Sequence, residues 1–133
     1  MLREVTEIES IGDSCYNLAR TINHKYRGNE DFTEKQYSHI HQMFQLTDDA
    51  LNQMVSLVED EGHQVDVNKS FNLENEINNY RSQLKNQNVL DVNNKEYDYQ
   101  MGVHYMDLIG ECEKLGDYIV NVVEARTDMK EKK

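Results

Sequence analysis

Apolar residues recur along this chain at steps of three and four, and nowhere alternate with period two over the length of a strand. Four segments carry the helical spacing, over about residues 3–27, 34–60, 68–88 and 95–127. The first has a stripe of Ile8, Ile11, Cys15, Leu18 and Ile22, and Gly28 is placed to stop it. The second opens on Thr33 with Gln36 three residues on, the spacing of a capping box. Its seam is Tyr37, Ile40, Phe44, Thr47, Leu51, Met54 and Val58, ended near Gly62. The third, after the polar stretch "HQVDVNKS", has a weaker seam of Leu73, Ile77, Tyr80 and Leu84, with Phe71 at its entry. It is expected to fray in "NQNVLDVNN", where Asn and Asp favour turns. The fourth is the clearest: Met101, Tyr105, Leu108, Cys112, Leu115, Ile119 and Val122, before a charged tail "DMKEKK" expected to fray. Four amphipathic helices joined by short loops predict an all-α fold, an antiparallel up-down four-helix bundle, as a single domain over residues 1–133.

Composition narrows the function classes. The chain contains no proline, which suits long uninterrupted helices. A formal net charge of −11 disfavours nucleic acid and direct contact with anionic lipid, since both partners require a basic face. No apolar run approaches the roughly 20 residues of a membrane span, and no secretory leader opens the sequence. Cys15 and Cys112 both fall on apolar stripes and read as reduced, buried thiols.

One phrase occurs twice. "ESIGDSCYN" at residues 9–17 and "EKLGDYIVN" at 113–121 share the pattern E-x-[I/L]-G-D-x-x-x-N. Within each copy the Glu, Asp and Asn are four apart, so Glu9, Asp13 and Asn17 stack on one helix face, and Glu113, Asp117 and Asn121 on another. Like charges at that spacing destabilise a helix by a few tenths of a kcal/mol, and a mid-helix glycine costs about 1 kcal/mol against alanine. Gly12 and Gly116 therefore add a second cost beside each carboxylate pair. A divalent or trivalent cation on Glu9, Asp13, Glu113 and Asp117 would compensate, because hard cations take carboxylate oxygens. The other reading is of solvated surface acids, with glycines that merely allow helices to pack closely. In an up-down bundle the first and last helices are antiparallel neighbours. The two phrases are then expected at one height, their carboxylates facing each other or on opposite flanks.

These phrases resemble the hallmark of PhoU-like domains. The stretch "LENEINNYRSQLKNQNVLDVNNKEYDYQMGVHYMDLIGECEKLGDYIVN" is similar in addition to the C-terminal PhoU-like domain of bacterial sodium/phosphate cotransporters. The resemblance implies three-helix bundles, each closed by one acidic phrase. The chain then looks like the last helix of one bundle followed by the whole of the next, a fragment of a larger membrane transporter. It also implies iron, zinc or a similar cation at Glu9, Asp13, Glu113 and Asp117, and a place on the cytoplasmic side of the membrane. The implied partner is the transmembrane domain of the same parent chain. Homodimerisation is expected wherever missing helices leave apolar faces uncovered. The implied role is regulatory and non-catalytic; the alternative is a structural module for oligomerisation or docking. Phosphate itself would need a bound cation as a bridge, since an acidic surface does not attract it.

Other chemistry finds little support. His39 and His41 are two apart and point to different faces, so they read as surface residues. His24, His63 and His104 are isolated. No Glu precedes a His by three, as a di-iron bundle requires. Asp48, Asp49, Asp107 and Glu111 read as solvated acids, and Asn75, Asn78 and Asn79 as a polar face.

Overall fold

The computed structural model describes residues 2–27, 32–59 and 67–131. They form four α-helices and, among the described residues, no strand: α1 (Leu2–Arg27), α2 (Glu34–Glu59), α3 (Val67–Asn93) and α4 (Tyr99–Glu131). Contacts near the helix ends fix their directions. Lys35, at the start of α2, pairs at 3.2 Å with Asp91, near the end of α3. Arg126 of α4 donates to the carbonyl of Val58, late in α2. So α2 and α4 run parallel and α3 runs against both. α1 descends past α4: Ser10 and Ser14 lie beside Lys114 and Tyr118, and Arg20 lies beside Met106. Successive helices thus alternate in direction, as an antiparallel bundle requires.

The helices do not contribute equally. α2, α3 and α4 pack against one another, whereas α1 rests on α4 and has no Cα within 8 Å of α2 or α3 among the described residues. α4 is therefore the central rod. Its whole expected seam, from Met101 to Val122, is buried, and Ile109, Val123 and Ala125 are buried as well. Each such aliphatic side chain, fully buried, contributes roughly 1.5–3 kcal/mol.

The other seams differ from expectation. On α2 the buried positions are Gln36, Ile40, Met43, Thr47, Ala50, Met54 and Leu57, a heptad seam turned from the expected one. Phe44, Leu51 and Val58 flank it, and Tyr37 is exposed. On α3 the buried residues Ser70, Ile77, Leu84 and Asp91 are seven apart. On α1, Ile11 and Ser14 are buried and Leu18 half-buried, while Ile8 and Cys15 are exposed. A helix with a single neighbour buries only a narrow stripe, and the bonding of Ser14 to α4 sets which one. The expectation that both thiols are buried is thereby corrected: Cys112 is buried and Cys15 is not.

Local chemistry explains the described ends. Thr33 Oγ1 accepts from the Gln36 amide at 3.1 Å, and Gln36 Oε1 accepts from the Thr33 amide at 2.9 Å, closing the capping box. α3 does not fray at "NQNVLDVNN" but runs through Asn93. Its end is fixed by Lys95 at φ 61°, with Glu96 N–H bonded to the Asp91 carbonyl and Lys95 N–H to that of Val92. This is a Schellman closure with lysine where glycine is usual. Asp98 caps α4, accepting from the Met101 amide at 2.8 Å. α4 continues to Glu131, past the point where the charged tail was expected to fray. The stop residues Gly28 and Gly62, and His63, lie outside the described residues, as do the side chains of Ile22 and His24.

Candidate functional site

The two acidic phrases do lie at one height, because α1 and α4 are antiparallel neighbours. Ser14 Oγ donates to Oε2 of Glu111 at 3.2 Å. Asp13 shares a small cleft with Lys114 and Tyr118. Yet the four carboxylates do not converge. Glu113, half-buried, and Asp117, itself exposed, face the α3 flank, while Glu9 and Asp13 are exposed on α1.

The α4 phrase is embedded in partners. Glu113 forms an ion pair with Arg81 of α3 through the guanidinium Nε. One turn on, Asp117 is exposed at the edge of the seam, where partial desolvation pushes its carboxyl above the usual carboxylate range and the charges of Glu113 and Glu74 raise it further against the pull of Arg81. Glu74 also accepts a hydrogen bond from the Asn78 side chain. Asn78 is thus half-buried and engaged here, whereas Asn75 and Asn79 are exposed. Gly116 explains itself by packing: a Cβ there would lie 3.3 Å from Cδ1 of Ile77, so the glycine lets α4 close on α3. Gly12 has no such reason, since a Cβ there would meet nothing within 4 Å. Phrases of one pattern therefore occupy unlike surroundings, one at the edge of the α3–α4 seam with an ion pair to Arg81 and one on an open face.

As a donor set for a cation, the arrangement is partial. Glu74, Glu113 and Asp117 bring carboxylates to one flank, but Arg81 already neutralises part of that charge. Among the described residues no three His, Cys, Asp or Glu side chains are grouped so as to hold a metal ion. Asp13 shares its cleft with the Glu111 carboxylate of α4, but Glu111 is taken up by Ser14 and Lys114.

A polar network at the other end of the three-helix core went unread in the sequence. Asp91 is buried and takes Lys35 at 3.2 Å and Gln87 at 2.9 Å. Tyr97 donates to Asn88 at 2.6 Å, and burial, with Asp91 nearby, pushes its phenol up to about 12. His39, expected at the surface, is half-buried and bonded to the hydroxyl of Tyr105 at 2.9 Å. Desolvation and then Lys35 lower its pKa, against Asp91. His41 is exposed as expected, and His104 is half-buried and bonded to Gln100. Among the extra acids, Asp48, Asp49 and Asp107 are exposed, while Glu111 is partly buried against Ser14. The sequence signal for the network was the seven-residue spacing of Ser70, Ile77, Leu84 and Asp91, which a search for apolar residues passes over.

A family model described as the PhoU domain matches residues 40–125. The match takes in most of α2, all of α3 and α4 as far as Ala125. It includes Glu113 and Asp117 and leaves out Glu9 and Asp13. No curated protein and no solved structure matches the chain.

Proposed function

The chain belongs to the PhoU domain family, and from that premise we propose that it is a non-catalytic regulatory domain of a sodium-dependent phosphate transporter, responsive to cations at its acidic phrases. The carrying observation is the surroundings of Asp117. Glu74, Glu113 and Asp117 line one flank of the α3–α4 seam without gathering into a three-ligand group, and the exposed Asp117 carboxyl is held above its ordinary pKa by partial desolvation and by the charges of Glu113 and Glu74. A group that favours a proton for that reason also favours a metal cation, which relieves the same repulsion. Asp117 and Glu74 would bind the ion, with Glu113 joining as it releases Arg81. That exchange gives the domain two states which a partner can distinguish, as coupling between sites requires. Glu9 and Asp13 would form a second, more weakly bound site on α1.

The partner in this reading is the transmembrane domain of the parent chain, and the domain lies on the cytoplasmic face of the membrane. No helix among the described residues is long and apolar enough to cross a membrane itself. Metal analysis tests the proposal. Chelator-treated protein titrated with iron, zinc or nickel should bind stoichiometrically, and Glu113→Ala/Asp117→Ala should abolish that binding. Unchanged sodium-driven phosphate uptake in cells producing the double variant, at every external phosphate level, would remove the regulatory role.

A second reading, a helical docking or dimerising module, has its own observation. Tyr16 is 66% exposed and Ile8 47% exposed on α1, beside the open surface at Gly12. An outward apolar face of this kind fits another helix. Sedimentation decides it: a dimer dispersed by Tyr16→Lys, with no thermal shift on adding metal, would favour this module over the cation-responsive domain.

A further inference from the structure

His39 brings a titratable side chain to the place where the three core helices meet. Its Nδ1 lies 2.9 Å from the hydroxyl of Tyr105 on α4, and its ring packs edge-on against Tyr80 of α3, with centroids 6.3 Å apart. Tyr105 is 2% exposed. Burial pushes its phenol far above the ordinary range, so the hydroxyl keeps its proton wherever histidine titrates. A buried hydroxyl with a proton needs an acceptor. Among the described residues Tyr105 has no hydrogen bond besides the one to His39. Nδ1 is therefore the acceptor, and the imidazole proton sits on Nε2.

That arrangement admits one protonation state. An imidazolium carries hydrogens on both ring nitrogens and accepts nothing. A proton on Nδ1 sets two donors against each other and leaves the Tyr105 hydroxyl without a partner inside the core. The charges facing His39 pull in opposite directions: Lys35, one turn back on α2, opposes the proton and Asp91 of α3 favours it, with Lys35 the larger influence. Asp91 is itself paired with Lys35 and bonded to Gln87. The other titratable groups around the Tyr105 hydroxyl are Tyr80 of α3 and Tyr97 of the α3–α4 turn, both phenols whose burial keeps them protonated at these pH values. His39 is only half-buried, so its charged ring is free to turn toward water. The Tyr105 hydroxyl is enclosed, with Phe32 packed against its ring at 6.3 Å.

We propose that His39 and Tyr105 form a proton-operated latch between α2 and α4, closed while the imidazole is neutral and released when it takes a proton. Release loosens the start of α2, with Phe32 and the capping box at Thr33, from the start of α4. Folded His39 takes a proton less readily than the unfolded chain does, chiefly through desolvation. The latch is therefore fully present above the free-histidine value of ~6.5, and its stabilising effect is lost as pH falls below it. It shares no residue with the acidic phrases and needs no metal, so it goes beyond the cation-responsive reading and stands or falls separately.

NMR titration of the metal-free chain from pH ~8 to ~5, the range of histidine titration, tests the latch. His39→Asn places an amide oxygen near the position of Nδ1, one that accepts at every pH, and also assigns the His39 signal. In the parent, His39 should titrate below ~6.5. Amide exchange in the first turns of α2, corrected for its intrinsic pH dependence, should quicken about tenfold on acidification, the usual weight of one buried hydrogen bond. His39→Asn should abolish that quickening. Tyr105→Phe removes a single oxygen and should raise the His39 pKa toward the free value, a shift that packing alone does not produce. The proposal is overturned if His39 titrates at or above the free value, or if Tyr105→Phe leaves its pKa in place. It is overturned equally if the acid-induced quickening persists in His39→Asn. The first two readouts use the parent chain and the loss of one oxygen, so they decide the matter even where His39→Asn folds poorly.

Discussion

In the folded chain the carboxyl of Asp117 holds its proton more tightly than in the unfolded chain, owing to partial desolvation, Glu113 and Glu74. Its contribution to stability is therefore fully present below the unfolded carboxylate value and is lost as pH rises through the raised one. At neutral pH the ionised group is a local cost. Asp117→Asn should accordingly raise the melting temperature of metal-free protein at pH ~7 and flatten its decline from acid to neutral. An unchanged or lower melting temperature would show that the repulsion is not felt. The thiols allow a second check. Burial pushes Cys112 up to about 12, and its side chain is inaccessible, while Cys15 is exposed. A thiol reagent at neutral pH should modify one cysteine of the native protein, at Cys15, and the second only on unfolding. Rapid modification of both would contradict the burial of the α4 seam.

Among the elements, the repeated glycines separate by what each helix packs against. Gly12→Ala adds a methyl where nothing lies within 4 Å, and should stabilise by about 0.5–1 kcal/mol through helix propensity. Gly116→Ala gains the same propensity but presses on Ile77, which is fully buried. Its net effect should be at least about 1 kcal/mol less favourable than that of Gly12→Ala. Urea unfolding of the two variants measures the difference, and equal effects would mean that the two surroundings are alike. The turn between α3 and α4 offers a further case. Lys95 holds a left-handed conformation at φ 61°, and Lys95→Gly should stabilise by about 1 kcal/mol, since glycine adopts it without steric cost. Destabilisation there would mean that the Schellman closure does not form. This turn was only partly legible. The capping box at Thr33 follows from residue type and spacing, whereas Asp98 fell inside the expected span of the fourth helix and shows as its N-cap only in the structure. The persistence of α3 through a run of Asn and Asp is not legible in the sequence either, because it rests on Asp91 being paired with Lys35 and Gln87 from a neighbouring turn and a neighbouring helix.

Over the whole molecule, the bundle is uneven: three helices share a core and the fourth leans on one of them. Local stability follows the number of packed neighbours. Amide exchange should therefore be fastest in α1 and slowest in the middle of α4, around Ile109 to Ile119. Equal protection of α1 and α4 would imply a further partner on the open face of α1. The central position of α4 also explains why its seam was the most readable. A helix with three neighbours buries its whole expected seam, from Met101 to Val122, so the pattern suffices. α1 has one neighbour, and its five-residue stripe is wider than the contact available to it.

Periodicity, capping residues and the doubled acidic phrase settle the number of helices, their approximate limits and the common height of the two phrases. Those features depend on interactions within a few residues and on chain direction, which sequence records directly. Which flank each phrase faces, and which residues stand opposite it, depends on the rotation of each helix about its own axis. Side chains from distant segments set that rotation: Ser14 against Glu111, Glu113 against Arg81, Gly116 against Ile77. Only the tertiary structure decided, for that reason, that one acidic phrase is buttressed and the other exposed, and that the Tyr105 hydroxyl finds its acceptor in His39.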